Sequence, residues 1–232
     1  MRVKYEDGGW RVEDGARRSV AILHLLSSIL VFSLAGCAAV GVAAYKLHGP
    51  PKVPAKYTPA KTPMLVLVEN YQHQSSVNAH ADVLARNLAD MLASHDVAPQ
   101  VSLDKLQSLR DSRPAEYSTM ALNRIAREVG ASQVLYVQLR SSDVAPLLGG
   151  EGYTGEATAT VKVIDGASGA TLWPVDMSEG YGVSAATKID SQRGGGSPMD
   201  VRQRLYTQLA DEISRLFYKW QPENMTPEGY TE

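Results

Sequence analysis

A single thiol, five histidines and a scatter of carboxylates are the side chains of this 232-residue chain that could do chemistry. The histidines are His24, His48, His73, His80 and His95. They include no i, i+4 pair and no H-E-x-x-H, so they offer no convergent set for a metal ion. No G-x-S-x-G presents a serine on a strand-to-helix elbow. Glu69, Asp82, Asp90 and Asp165 are acids by type, yet nothing in their spacing pairs them, and solvated or turn-forming roles are expected. Gly150-Glu151-Gly152-Tyr153-Thr154-Gly155 matches G-x-G-x-x-G. A dinucleotide loop must follow a strand and open a helix, whose N-terminus holds the pyrophosphate. Here an alternating strand pattern follows, and neither H-R-D nor D-F-G occurs, so the segment reads as a flexible loop. Gly194-Gly195-Gly196 reads the same way, as a connection before a last helix. No catalytic set, metal site or cofactor is expected.

Cys37 asks for a different explanation. Exported chains usually carry cysteines in even numbers, because disulfides pair them; this chain has one, near the end of an apolar run. It closes Leu34-Ala35-Gly36-Cys37, which resembles the bacterial lipobox of Leu, two small residues and Cys. The chemistry explains the pattern. Lipid is transferred to the thiol and a peptidase cuts just before the Cys, so the preceding side chains must fit its cleft. The apolar stretch ahead has the length of a signal h-region, with Arg17-Arg18 as its positive flank. The usual surroundings of a twin-arginine signal are absent.

An uncleaved membrane helix is the other reading of the same segment. Ser19 to Ala44 carries no Asp, Glu, Lys or Arg, and about 20 apolar residues span a bilayer. Four acids in the segment before Arg17, and the apolar Ala38-Ala39-Val40-Gly41-Val42 after the Cys, suit that alternative. Either way residues 46–232 are exported. The partner implied is membrane lipid, reached through Cys37 or through the apolar segment itself. By resemblance to bacterial sorting rules, Ala38 rather than Asp after the Cys favours the periplasmic face of the outer membrane over an inner-membrane anchor.

The formal charge of −2 gives no electrostatic case for nucleic acid. With five basic and four acidic residues up to Cys37, the remainder carries −3 and no polybasic patch. Gly49-Pro50-Pro51-Lys52-Val53-Pro54, Pro59 and Pro63 suggest an extended, semi-rigid tether. The organisation expected is therefore a signal peptide over 1–37 (or an anchor to about 45), a Pro-rich linker over 38–62, one domain over 63–220 and a polar tail over 221–232.

Within that domain, Met64–Val68 reads as a buried strand. A helix capped by Ser75 or Ser76 follows, with Val77, Ala81, Leu84, Leu88, Met91 and Leu92 on one face. Pro99–Ser102 reads as a second strand and Leu103–Leu109 as a helical turn or two. Ser118 can cap a helix that buries Leu122, Ile125, Ala126 and Val129 and stops at Gly130. Val134–Leu139 reads as a central strand. Glu156–Asp165 alternates Ala157, Ala159, Val161 and Val163 with polar residues, the period of a half-buried sheet. A turn at Asp165–Gly169 returns Ala170–Trp173 as a hairpin partner, and Gly180–Ala186 is an edge-strand candidate. Ser197-Pro198 with Asp200 resembles a capping box before Val201, Leu205, Leu209, Ile213, Leu216, Phe217 and Trp220. The fold class is thus α/β of the α+β kind, a mixed β-sheet with helices packed on it in the order β-α-β-α-β-β-β-α.

The succession MLVLVEN, ADVLARNLADMLASH, IAREVGASQVLYVQL and GEATATVKVIDGASGATLWP resembles one superfamily over about residues 63–218. It is the periplasmic lipoprotein domain shared by curli-secretion lipoproteins (CsgG-like), penicillin-binding-protein activators (LpoB-like) and TolB N-terminal domains. The resemblance implies a non-enzymatic accessory or scaffolding factor that works through protein contacts in envelope assembly or transport, with homo-oligomers possible. A curli-type channel subunit is the alternative. A channel needs membrane strands of about 9–11 residues, and Ser141–Gly155 and Ser178–Gly196 do not read as such pairs. Among the aromatics Tyr136, Tyr153, Trp173 and Tyr181, packing is the default; Tyr153 and Tyr181, flanked by glycines, are the candidates for partner contact.

Overall fold

Met64–Asn70 is apolar at successive positions because both of its faces are covered. In the computed structural model, which describes residues 52–70, 79–147, 152–190 and 197–222, this segment is strand β1 (Met64–Asn70). Met64, Val66 and Val68 enter one core while Leu65 and Leu67 enter another on the opposite face. Strand β2 (Gln133–Pro146) runs parallel to it, Met64 facing Gln133 and Asn70 facing Leu139. Strand β3 (Gly152–Asp165) is antiparallel to β2. The far edge of β3 takes β4 (Thr171–Trp173) at its C-terminal end and β5 (Tyr181–Asp190) along the rest. The sheet is mixed, with helices on both faces, as the α+β expectation required.

A parallel pair needs a crossover, and here four helices make it: α1 (Ala79–Ser94), α2 (Leu103–Ser112), α3 (Pro114–Tyr117) and α4 (Leu122–Val129). Ala81, Leu84, Leu88 and Leu92 of α1 pack on one face; Leu106 and Leu109 of α2 and Ile125, Ala126 and Val129 of α4 pack on the other. The chain must therefore pass around the edge of β1, and Pro99–Val101 does so. Met64 N–H donates to the Pro99 carbonyl at 2.8 Å and Val101 N–H to the Met64 carbonyl at 2.9 Å, an isolated bridge at Gln100. The strand expected at Pro99–Ser102 is thus corrected to a crossing. The sequence there is β-like, but a segment joining helices on opposite faces cannot run along an edge.

Two helix expectations also change. The helix at Leu103 is longer than a turn or two, with the Ser102 hydroxyl accepting from Asp104 N–H at its start. Ser118 closes α3 instead of capping the next helix; α4 begins after Ala121, without a side-chain cap. Gly130 ends α4 at φ 79°, as expected of a left-handed stop.

The two long insertions, Ser141–Gly155 and Ser178–Gly196, contain strand, the second of them at the edge-strand candidate Gly180–Ala186. β2 continues to Pro146, β3 starts at Gly152, and β5 runs to Asp190. The alternation was hidden by a bulge between Leu139 and Ser141, which moves the following side chains to the opposite face. Ser142 consequently turns inward, its hydroxyl 2.9 Å from that of Tyr206. Gly152–Gly155 is likewise strand and not a flexible loop, while Gly150 and Glu151 lie outside the described residues. At Gly155 the glycine serves packing, since a Cβ would lie 3.1 Å from Val201 and 3.2 Å from Leu205.

Those two residues belong to α5 (Pro198–Ser214), which carries the expected capping box. Its Leu205, Leu209 and Ile213 are fully buried against β3, with Ala185 of β5 in the same core. The apolar side of the β2–β3–β5 region is therefore occupied by a helix of its own chain.

The compact unit begins at Val53, inside the expected linker. Val53 N–H donates to the Trp220 carbonyl at 2.8 Å, and Lys56 and Tyr57 N–H both donate to Leu216. Pro59 is buried. Gln133 Nε2, from β2, donates to the Ala60 carbonyl at 2.6 Å. Ser75, Ser76, Val77, Gly194–Gly196, the tail from 223 and everything up to 51 lie outside the described residues.

Candidate functional site

A polar cluster sits at the C-terminal end of β1, beside Tyr136 of the neighbouring β2 and side chains from the first turn of α1 and from α2 and α3. The Tyr136 hydroxyl donates to Glu69 at 2.7 Å across the pair. Arg110 of α2 donates to Asp82 of α1 at 3.1 Å, and its guanidinium lies 5.2 Å from the centre of the Tyr117 ring. Burial, then the bond to Glu69, pushes the Tyr136 phenol well above its ordinary value. Burial raises Tyr117 too, with Arg110 working against it and Glu69 and Asp82 adding to it. The structure thus gathers two of the four carboxylates that spacing left unpaired. Each is held by a donor, Glu69 by the Tyr136 hydroxyl and Asp82 by the Arg110 guanidinium. Asp90 is exposed, and Asp165 shapes the β3–β4 turn by accepting from Ser168 N–H and Oγ, both at 2.7 Å.

A second cluster is aromatic. Trp173 of β4 stacks on Tyr181 at 5.2 Å and on Tyr57 at 5.9 Å, and meets Phe217 edge-on at 5.8 Å. Leu172 of β4 is exposed at 38%, and the β4–β5 connection exposes Val175 and Met177 at 77% and 49%. Apolar side chains this exposed and this close together are the usual mark of a contact surface.

Tyr181, a sequence candidate, lies in this cluster, stacked on Trp173 and packed against the core. Tyr153 is not brought to it. Tyr153 faces Ile189 and Tyr181 faces Val161, eight residues further along β3, or about 26 Å at strand rise. Tyr57, Val175 and Met177 were missed by sequence reasoning. The available signal was two bare apolar residues among Asp176, Ser178 and Glu179 in a connection that ends at Gly180. His95, unassigned by spacing, stacks on Tyr218 at 3.7 Å. Among the described residues no cluster of metal-ligating side chains occurs, and no helix is long and apolar enough to cross a membrane. Leu34, Ala35, Gly36 and Cys37 lie outside the described residues.

No family model matches the chain, and no curated protein sequence does. Solved structures do. The PelC dodecamer of Paraburkholderia phytofirmans is 15% identical over 73% of this chain and 94% of that one, with a TM-score of 0.39. Lipoprotein GNA1162 of Neisseria meningitidis is 15% identical over 66% and 98%, at 0.41. The LpoB C-terminal domain of Salmonella enterica is 17% identical over 58% and 88%, at 0.34. The class defined by the fold itself is an α+β domain with a mixed sheet between two helical layers. Its function must be argued from this chain's own residues.

Proposed function

We propose that the chain is a lipid-anchored cell-envelope protein whose α+β domain, of the CsgG/LpoB/TolB-N kind, acts as a non-enzymatic accessory or scaffolding factor. The observation that carries the proposal is Leu34-Ala35-Gly36-Cys37 at the end of an apolar run behind Arg17-Arg18. It gives the one thiol of the chain a task that needs no second cysteine. The fold supports the division of labour. The folded unit starts at Val53, sixteen residues after Cys37. Partner contact is assigned to Val175 and Met177, exposed in the connection that joins Trp173 to Tyr181. Ala38 after the Cys favours the outer membrane.

Intact mass of the membrane-extracted protein tests the anchor. A chain beginning at acylated Cys37, lost in Cys37→Ala, is the expected result. A full-length unacylated chain would make it a single-pass signal-anchored protein and remove the outer-membrane placement. Val175→Asp with Met177→Asp tests the contact surface: loss of crosslinked envelope partners without loss of acylation is expected, and unchanged crosslinking would overturn that assignment.

A further inference from the structure

Among the described residues the outer edge of β5 is open: Tyr181–Asp190 takes its backbone pairing from β3 alone, and no other backbone group bonds to it. Open edges are normally blunted by charge, proline or a bulge, because a row of free N–H and C=O groups recruits another strand. Tyr181-Gly182-Val183-Ser184-Ala185-Ala186-Thr187 has no charge and no proline, and its register with β3 is unbroken. Gly182, Ser184 and Ala186 are exposed and small, leaving that side flat. The edge of β1, by contrast, is crossed by Pro99–Val101.

We propose that this edge pairs with the same edge of a second copy, antiparallel, about a two-fold axis through Ser184. The geometry restricts the choice. Two identical strands pair only where outward-pointing backbone groups meet, which requires a register centred on a residue. Centring on Ser184 opposes Gly182 to Ala186 and Tyr181 to Thr187, so the uncharged stretch overlaps completely. Lys188 of each copy then lies level with Gly180 of the other along the backbone, outside the uncharged overlap. The axis is perpendicular to the sheet, which places α5 of both copies on the same side of one continuous sheet, a closed isologous contact. A second copy is preferred over a peptide of another protein because the stretch is its own complement. The proposal does not depend on the lipid anchor.

The test uses the full-length chain in its membrane, with a short bismaleimide crosslinker. Ser184→Cys is expected to give a crosslinked dimer, and the wild-type chain beside it reports any crosslinking through Cys37. Adding Gly182→Lys and Ala186→Lys opposes lysines across the axis and is expected to abolish the dimer. A Cβ at Gly182 meets nothing within 4 Å, so the monomer tolerates the change. Co-expression with a copy carrying Gly182→Glu and Ala186→Glu is expected to restore the crosslink. No Ser184→Cys dimer, a dimer indifferent to the lysines, or adducts with another protein or a ladder of higher copies in its place would each overturn the proposal. Acylation of Cys37 is read separately by mass, so failure of one conclusion leaves the other standing.

Discussion

Tyr136 on β2 and Glu69 on β1 are joined by a 2.7 Å hydrogen bond from phenol to carboxylate, diagonally across parallel strands on which Tyr136 faces Leu67 and Glu69 faces Gln138. The bond fastens the polar end of a strand pair whose remaining residues are held by apolar packing. Because the phenol is the donor, the contact exists only while Tyr136 keeps its proton.

The alkaline behaviour follows. Tyr136 is raised by burial and by Glu69, and Tyr57 by burial. A phenol whose folded value lies above its unfolded one contributes stability that is complete below the unfolded value, about 10, and fades as pH rises beyond it. Thermal unfolding followed from pH 8 to 11 (roughly bracketing that phenol value) is expected to show a falling melting temperature on the alkaline side. Tyr136→Phe should lower stability by about 1 kcal/mol at neutral pH and flatten the alkaline fall. An unchanged slope would count against it.

Acid should act through two turns. Asp165 is lowered by the Ser168 hydroxyl and N–H and then by Ala167 N–H; Asp200 is lowered by the Ser197 N–H and hydroxyl. Their contributions are present above the ordinary carboxylate value of about 3.9 and are lost as pH falls through the lower folded values. Ser197→Ala is expected to cost about 1 kcal/mol and, with Asp165→Asn, to weaken the acid dependence measured by urea unfolding.

Two glycines should differ in their tolerance of alanine. A Cβ at Gly166 would lie 2.6 Å from the Ala131 carbonyl oxygen and 2.8 Å from that of Ser132, both backbone atoms that cannot turn aside. At Gly155 the neighbours are side chains at 3.1 Å or more. Gly166→Ala is expected to cost about 3 kcal/mol and Gly155→Ala about 1 kcal/mol, read as shifts of the urea midpoint. Equal costs would refute the assignment of Gly166 as the tighter site.

The docked segment before β1 can be released from one end. Tyr57 is held by the Trp173 ring and by its N–H to Leu216. Tyr57→Ala is expected to speed tryptic cleavage after Lys56, and Trp173→Ala should do so while also destabilising the domain by about 2 kcal/mol. Cleavage at the wild-type rate in both variants would mean the ring stack does not hold the segment.

The sequence alone determined the elements that carry a strong period. The apolar run of β1, the alternation from Ala157 to Val163, the stripe of α5 with its Ser197–Asp200 box and the stop at Gly130 are local signals, set by neighbours in the chain. The Leu34-Ala35-Gly36-Cys37 motif on which the proposed lipid anchor rests is local too. What only the tertiary structure decided are relationships between distant residues. The Leu139–Ser141 bulge reversed the side-chain parity of β2 and concealed half a hairpin. The position of helices on opposite faces turned Pro99–Val101 from a strand into a crossing. Leu216, Trp173 and Trp220 drew Val53–Tyr57 out of the tether and onto the domain. Glu69 and Tyr136 met because parallel strands bring together residues separated by the whole crossover. None of these has a sequence period, because each depends on which surfaces were left to be covered once the local elements had formed.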